Sequence, residues 1–162
     1  MRYALGPGTV APVMKDYHEK EGYTGILGAY GVDDRILAEA ALYPDLDLAR
    51  VTSQHKGLYK VIGSRGETLA EISGKFRHHT SALSDYPAVG DFVMLNPPKG
   101  KAGHAVIHHV LKRRSVFVRR AVGLEEQTQV VAANIDIVFI CMSLNNDYNA
   151  SRLERYLSVG WS

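Results

Sequence analysis

The pattern of apolar and polar positions changes character three times along the chain. Residues 1 to 24 mix Gly, Pro, Lys and Glu with no sustained period and predict a loose or partly ordered arm. Between Asp33 or Asp34, either of which can serve as an N-cap, and Pro44, residues Ile36, Leu37, Ala40 and Ala41 recur at helical spacing. They predict a short amphipathic helix. From Arg50 the pattern turns to short alternating runs parted by turn residues. VTSQHKGLYKVIG (51 to 63) and ETLAEIS (67 to 73) read as a hairpin joined through Ser64, Arg65 and Gly66. VGDFVML (89 to 95) reads as a third strand, and AGHAVIHHVLKR (102 to 113) and SVFVRR (115 to 120) as two more. Five strands within about 70 residues, with a long connection between the second and third, predict an OB-fold barrel; an SH3-like barrel is the nearest competitor.

After residue 130 the period changes again, to the near-continuous apolar run VVAANIDIVFICMSL (130 to 144), which predicts a parallel strand covered on both faces. The loop NNDYNA and then SRLERYL follow, with Ser151 and Glu154 at capping-box spacing for the start of a helix. This reads as the opening strand, loop and helix of an α/β domain. A lone strand and helix cannot cover each other's apolar faces, so the expectation is that the natural protein continues past Ser162 or that a partner supplies the missing layer. The predicted fold class is therefore mainly β. An arm and short helix occupy 1 to 49, a five-stranded OB barrel 50 to 121, and a linker with an incomplete α/β domain 122 to 162.

Charge sharpens this division. The whole chain carries only +2, but residues 51 to 120 hold twelve Lys and Arg against four Asp and Glu, and six of the seven histidines. The flanking segments are each net acidic. A middle block of net +8 attracts a polyanion through counterion release, and nucleic acid is the commonest such partner; a solvated basic face with no partner is the bland alternative. Cys141 is the only cysteine, which excludes an internal disulfide and a multi-cysteine zinc site in this chain, and its place in an apolar run predicts burial. There is no cationic leader with an apolar core and no window near the roughly 18 apolar residues that span a bilayer, so a cytoplasmic protein is expected.

Three groups are candidates for RNA contact. In KRRSVFVRR, Lys112, Arg113, Arg114, Arg119 and Arg120 flank Phe117, and cations beside an aromatic face suit single-stranded or loop RNA; strand alternation favours the core for Phe117 over stacking. Lys75, Arg77, His78 and His79 follow the second predicted strand, where an OB-fold loop can reach a groove. Lys56 and Lys60, with Tyr59 either stacking or packing, form the third. The adjacent pairs His78-His79 and His108-His109 would point to opposite faces of a strand, which disfavours a shared metal. Asn134 and Asp136 read as satisfying backbone groups where the linker enters a sheet. No Ser-His-Asp or paired-carboxylate arrangement is spaced for catalysis, so no catalytic, cofactor or metal residue is assigned.

The stretches GLYKV (57 to 61), SGKFRH (73 to 78), YPAVGDFVML (86 to 95), VIHHVLKRRSVFVRR (106 to 120) and QVVAANIDIVFICMSLNNDYNASRLERYL (129 to 157) run in order across most of residues 25 to 160. Together they resemble the RsgA/YjeQ family, circularly permuted GTPases that act in maturation of the small ribosomal subunit. The family's basic position before the Gly-Lys of SGKFRH is Ser73 here. The resemblance implies an OB domain that docks on rRNA of the small subunit, a GTPase domain that uses GTP and magnesium, and a domain with a structural zinc. This chain has no G-x-x-x-x-G-K-[ST], no NKxD and no D-x-x-G. It is therefore expected to be the rRNA-binding N-terminal portion of such a GTPase, inactive as a hydrolase alone. The alternative is a stand-alone OB-fold protein that binds single-stranded nucleic acid without enzymatic activity; a protein-binding domain that uses an exposed apolar strand is a third reading.

Overall fold

In the computed structural model, which describes residues 23–98, 100, 103–120, 128–143 and 149–160, the first helix begins where Asp33 can cap it. The Asp33 carboxylate accepts the Ile36 amide at 2.9 Å, which closes one of the amides a helix start leaves unpaired. Helix α1 (Asp34–Ala40) then buries Ile36, Leu37 and Ala40, as their spacing predicts. The arm lies outside the described residues except for its last two positions, which open a π-helical turn, Tyr23–Leu27.

Strands β1 (Asp47–His55), β2 (Leu58–Gly63), β3 (Gly66–Ile72), β4 (Phe92–Asn96) and β5 (Ala105–Val110) close a barrel in the order β1-β2-β3-β5-β4. β3 and β5 are parallel and the other neighbours antiparallel. This is an OB-fold. Its strands are not the five expected. The run 51 to 63 is two strands, because Lys56 and Gly57 both take positive φ (45° and 83°) and form a tight turn inside it. SVFVRR, expected in the barrel, lies outside it.

Two cores explain the apolar density of β4. Val93 and Leu95 join Val51, Tyr59, Val61 and Ile107 inside the barrel, while Phe92 and Met94 point the other way and meet Leu27, Ile36, Leu37 and Leu48 under α1. A strand buried on both faces has no polar alternation to show. Between β3 and β4 runs helix α2 (Gly74–His79), capped by the Ser73 hydroxyl, which accepts the Phe76 amide at 3.0 Å. Ser73 thus has a structural role as the cap of α2.

Strands β6 (Val116–Arg120) and β7 (Thr128–Ala133) pair antiparallel as a separate ribbon. The expected parallel strand over 130 to 144 is corrected on this point. Its first residues belong to β7, Asn134 breaks the strand at φ 53°, and residues 137 to 143 have no regular structure. Ile137 is 70% and Phe139 84% exposed, since no neighbouring strand covers them among the described residues. Cys141, expected buried, is exposed for the same reason. Helix α3 (Ala150–Gly160) does form, but Asn149 caps it through the Arg152 amide (3.0 Å), which places Ser151 inside the helix.

Candidate nucleic-acid interface

The segment with the densest positive charge joins the barrel to the ribbon. The Arg113 guanidinium forks onto Asp91, Nε to Oδ1 at 2.8 Å and Nη2 to Oδ2 at 2.7 Å, and also donates to the carbonyls of Ser84 and Tyr86. Asp91 is fully buried and its Oδ2 also accepts the Ala88 amide at 2.8 Å. Four of the guanidinium's five N–H groups are thereby used. This corrects the reading of Arg113 as an RNA contact, because a side chain 17% exposed and committed to these acceptors has no fork to offer a phosphate.

Around this pair the backbone is drawn tight. Gly90 sits at φ 91°, and a Cβ there would overlap the Ala133 carbonyl oxygen, so only glycine fits. Its own carbonyl accepts from Arg50 Nε (3.1 Å) and Asn134 Nδ2 (3.0 Å). Asn134, 6% exposed, also accepts the Arg114 amide on Oδ1 at 2.9 Å, so its side chain satisfies backbone groups as its sequence position suggests. Arg50 reaches the carbonyls of Tyr30 and Asn134 and lies 5.0 Å over the Phe92 ring. Burial works against its charge, so its pKa falls from the ordinary value, with Asp136 opposing and Arg114 adding to the fall. Arg50, at the edge of the predicted barrel, carries no local pattern that would have singled it out.

The remaining candidates divide by their partners. Lys60 pairs with Glu67 at 2.8 Å, and Arg114 pairs with Asp136 while staying half exposed. Lys112 is exposed; its amide donates to Glu39 and its carbonyl accepts from Arg35, which moors it to α1. Arg119 and Arg120 occupy β6 opposite Gln129 and Thr128, and their side chains lie outside the described residues. Phe117 is half-buried, while Val118, beyond a register shift, packs on Ala88, Val130 and Ala133.

Lys56, Lys75, Arg77, His78 and His79 are all exposed, and among the described residues no carboxylate lies within ion-pair distance of Lys56, Lys75 or Arg77. α2 buries none of its residues. Arg77 lines a cleft of about 240 Å³ with Gln54, Gly57, Tyr59 and Tyr86, beside the turn that carries Lys56. Tyr59 itself is 2% exposed and packs in the barrel; burial raises its phenol pKa, with Tyr86 adding and Arg77 opposing. The structure therefore gathers Lys56, Lys75 and Arg77 at one end of the barrel, on α2 and the β1–β2 turn, while Lys112, likewise exposed and without a carboxylate partner among the described residues, stands apart beside α1. Among the described residues no group of three His, Cys, Asp or Glu is placed to hold a metal, and no helix is long and apolar enough to cross a membrane.

No protein-family model matches the chain. It is 38% identical over 132 residues to the small ribosomal subunit biogenesis GTPase RsgA 2 of Lactiplantibacillus plantarum, a match covering 82% of this chain and 37% of that protein. It is 42% identical over 118 residues to the RsgA of Opitutus terrae, covering 68% and 32%. Over these residues the chain belongs to the RsgA family. It spans about a third of the length of the curated relatives it matches. A crystal structure of YjeQ from Thermotoga maritima aligns with 71% of this chain and 37% of its own at 23% identity and a TM-score of 0.48. In this chain YPAVGDFVML supplies Gly90 and Asp91 to the junction, VIHHVLKRRSVFVRR supplies Arg113, and QVVAANIDIV supplies Asn134. Three of the stretches that carry the family likeness thus meet in one hydrogen-bonded junction.

Proposed function

We propose that this chain is the rRNA-docking, N-terminal portion of a cytoplasmic GTPase of late small-subunit maturation, and that it docks through the end of the barrel formed by α2 and the β1–β2 turn. The relatives' names supply the subunit. The observation that carries the choice of face is that Lys56, Lys75 and Arg77 stand exposed without carboxylate partners and beside one another, whereas Lys60, Arg113 and Arg114 are already paired and the unpaired Lys112 stands apart beside α1. Phosphate contacts by unpaired cations release counterions, which is the main sequence-independent source of affinity for nucleic acid.

The residues present do not fit GTP, magnesium or zinc. The sequence has no phosphate-wrapping Gly-Lys-Ser/Thr loop and a single cysteine. Hydrolysis and the structural zinc are assigned to the part of the family's length that this chain does not span. The test is co-sedimentation with purified small ribosomal subunits over a salt series, beside Lys56→Ala/Lys75→Ala/Arg77→Ala. Removing one cation from a phosphate should flatten the slope of log affinity against log salt by about 0.7–0.9, so the triple variant should flatten it by about 2. No sedimentation at low salt, or an unchanged slope in the variant, would refute the proposal.

A further inference from the structure

Neighbouring residues of a regular strand face opposite ways, yet His108 and His109 share a groove. β5 slips against β4, with Met94 opposite His109 and Leu95 opposite Ile107, so His108 is the extra residue of a bulge. Both histidines, together with Lys75, His79, Thr80 and Asp85, line a groove of about 410 Å³ between α2 and β5. It adjoins the exposed cations of α2.

The groove's charge depends on protons. With its imidazoles neutral, Lys75 and Asp85 cancel; with all three protonated, the same walls carry +3. Imidazole is the side chain that ordinarily makes this change between pH 5 and 8. The other groups facing these rings do not neutralise them. The Asn96 amide lies 3.1 Å from His108 Nε2, the Tyr43 ring stacks on His109 at 4.4 Å, and His78 meets His79 edge-on at 5.5 Å. Asp85 is the only carboxylate among the lining residues. Lys75 and three imidazoles outnumber the one carboxylate, so an anion is the fitting ligand.

We infer that this groove is a proton-dependent site for RNA backbone phosphate, empty of net charge near neutral pH and strongly cationic below it; this rests on the reading that the barrel docks on RNA. The mutual repulsion within the groove agrees, since the pKa of His109 is lowered first by burial and then by His108 and Lys75, and a bound phosphate would relieve that repulsion. Binding must then draw in protons, and each proton taken up strengthens binding about tenfold per pH unit.

The test titrates the histidine rings of the chain by NMR with and without a decauridylate, and measures decauridylate affinity at pH 7.5 and 6.0 for the wild type and for His79→Gln/His108→Gln/His109→Gln. The inference expects the ring signals of His79, His108 and His109 to respond to RNA, and His109, held down by burial and its neighbours, to titrate at higher pH with RNA present. It also expects wild-type binding at least about tenfold tighter at pH 6.0 than at pH 7.5, and less than twofold in the variant. Equal pH responses in the two proteins, or rings indifferent to RNA, overturn it even if the variant is poorly folded, because the ring titration is read on the wild type. If decauridylate moves the rings while small subunits fail to co-sediment, the groove stands and the proposed function falls. If subunits bind with no pH response traceable to these histidines, the groove falls alone.

Discussion

Replacing Arg113 with alanine should unfold the protein more readily and leave RNA binding nearly unchanged, the reverse of what its place in a basic cluster suggests. The substitution leaves the Asp91 carboxylate fully buried with the Ala88 amide at 2.8 Å in place of a two-pronged guanidinium, and strips the Ser84 and Tyr86 carbonyls of their donor. Removing one partner of a buried ion pair costs about 3–5 kcal/mol. For a chain of this size that is a fall in Tm of roughly 6–20 °C, at about 2–4 °C per kcal/mol. Arg113→Lys keeps the charge but cannot form the fork or reach both carbonyls, so it should fall between wild type and alanine. Urea denaturation followed by circular dichroism gives the stability difference. Subunit binding measured well below both transitions gives the functional one. A variant within about 1 kcal/mol of the wild type that binds subunits much more weakly would refute the structural assignment and return Arg113 to the RNA contacts.

Other substitutions probe the same junction and its surroundings. Gly90→Ala must relieve an overlap with the Ala133 carbonyl at positive φ and should cost more than about 2 kcal/mol by equilibrium denaturation, whereas Gly57→Ala, with nothing within 4 Å of its added Cβ, should cost only about 1–2 kcal/mol. Asn134→Gly keeps the backbone conformation and removes the bonds to Gly90 and Arg114, a loss of about 1–3 kcal/mol in the same assay. His109 is harder to protonate in the folded chain than in the unfolded one, so the unfolded state binds more protons as pH falls below about 6.5. Without RNA, the wild type should therefore lose stability on acidification through that window relative to His109→Gln, and parallel curves for the two would contradict it. A double-mutant cycle on Lys60 and Glu67, each 48% exposed, should return about 0.2–1 kcal/mol of coupling.

The parts of the fold that depend on local periodicity were readable in the sequence, and the parts that depend on a partner were not. α1 announces itself because one capping aspartate and three apolar residues at helical spacing act within two turns. The β1–β2 turn is hidden because its residues are Lys56 and Gly57 rather than an Asn-Gly pair, so alternation reads straight through it. α2 buries nothing and so has no apolar stripe to detect; only Ser73, as a cap, signals it. The run from residue 130 is apolar enough for a covered strand, but a strand needs neighbours, and among the described residues it pairs with β6 and, through a single bridge at Ala132, with Val89. Histidine alternation on β5 failed through a bulge, a feature of register between two strands that neither strand encodes alone.

Charge is the sharpest case of this division. Twelve basic residues in one block suit a polyanionic partner, but composition treats Arg77 and Arg113 as equivalent. They differ in what lies opposite. Asp91, which neutralises Arg113, is 22 residues away in the chain and arrives only when β4 and the segment after β5 close the barrel; no comparable carboxylate reaches Arg77 among the described residues. A guanidinium that has exchanged its water for a buried carboxylate releases few counterions when RNA approaches, so its charge contributes to the fold and scarcely to docking. On the proposed function the docking cations are ones the fold leaves unmatched, and Lys75 and Arg77 lie on a six-residue helix that meets the barrel core only through the partly buried Phe76. That separation lets the junction tie barrel to ribbon through Gly90, Asp91, Arg113 and Asn134, so that on the proposed function the charge of the docking face can change, by substitution or by protonation, without touching the junction.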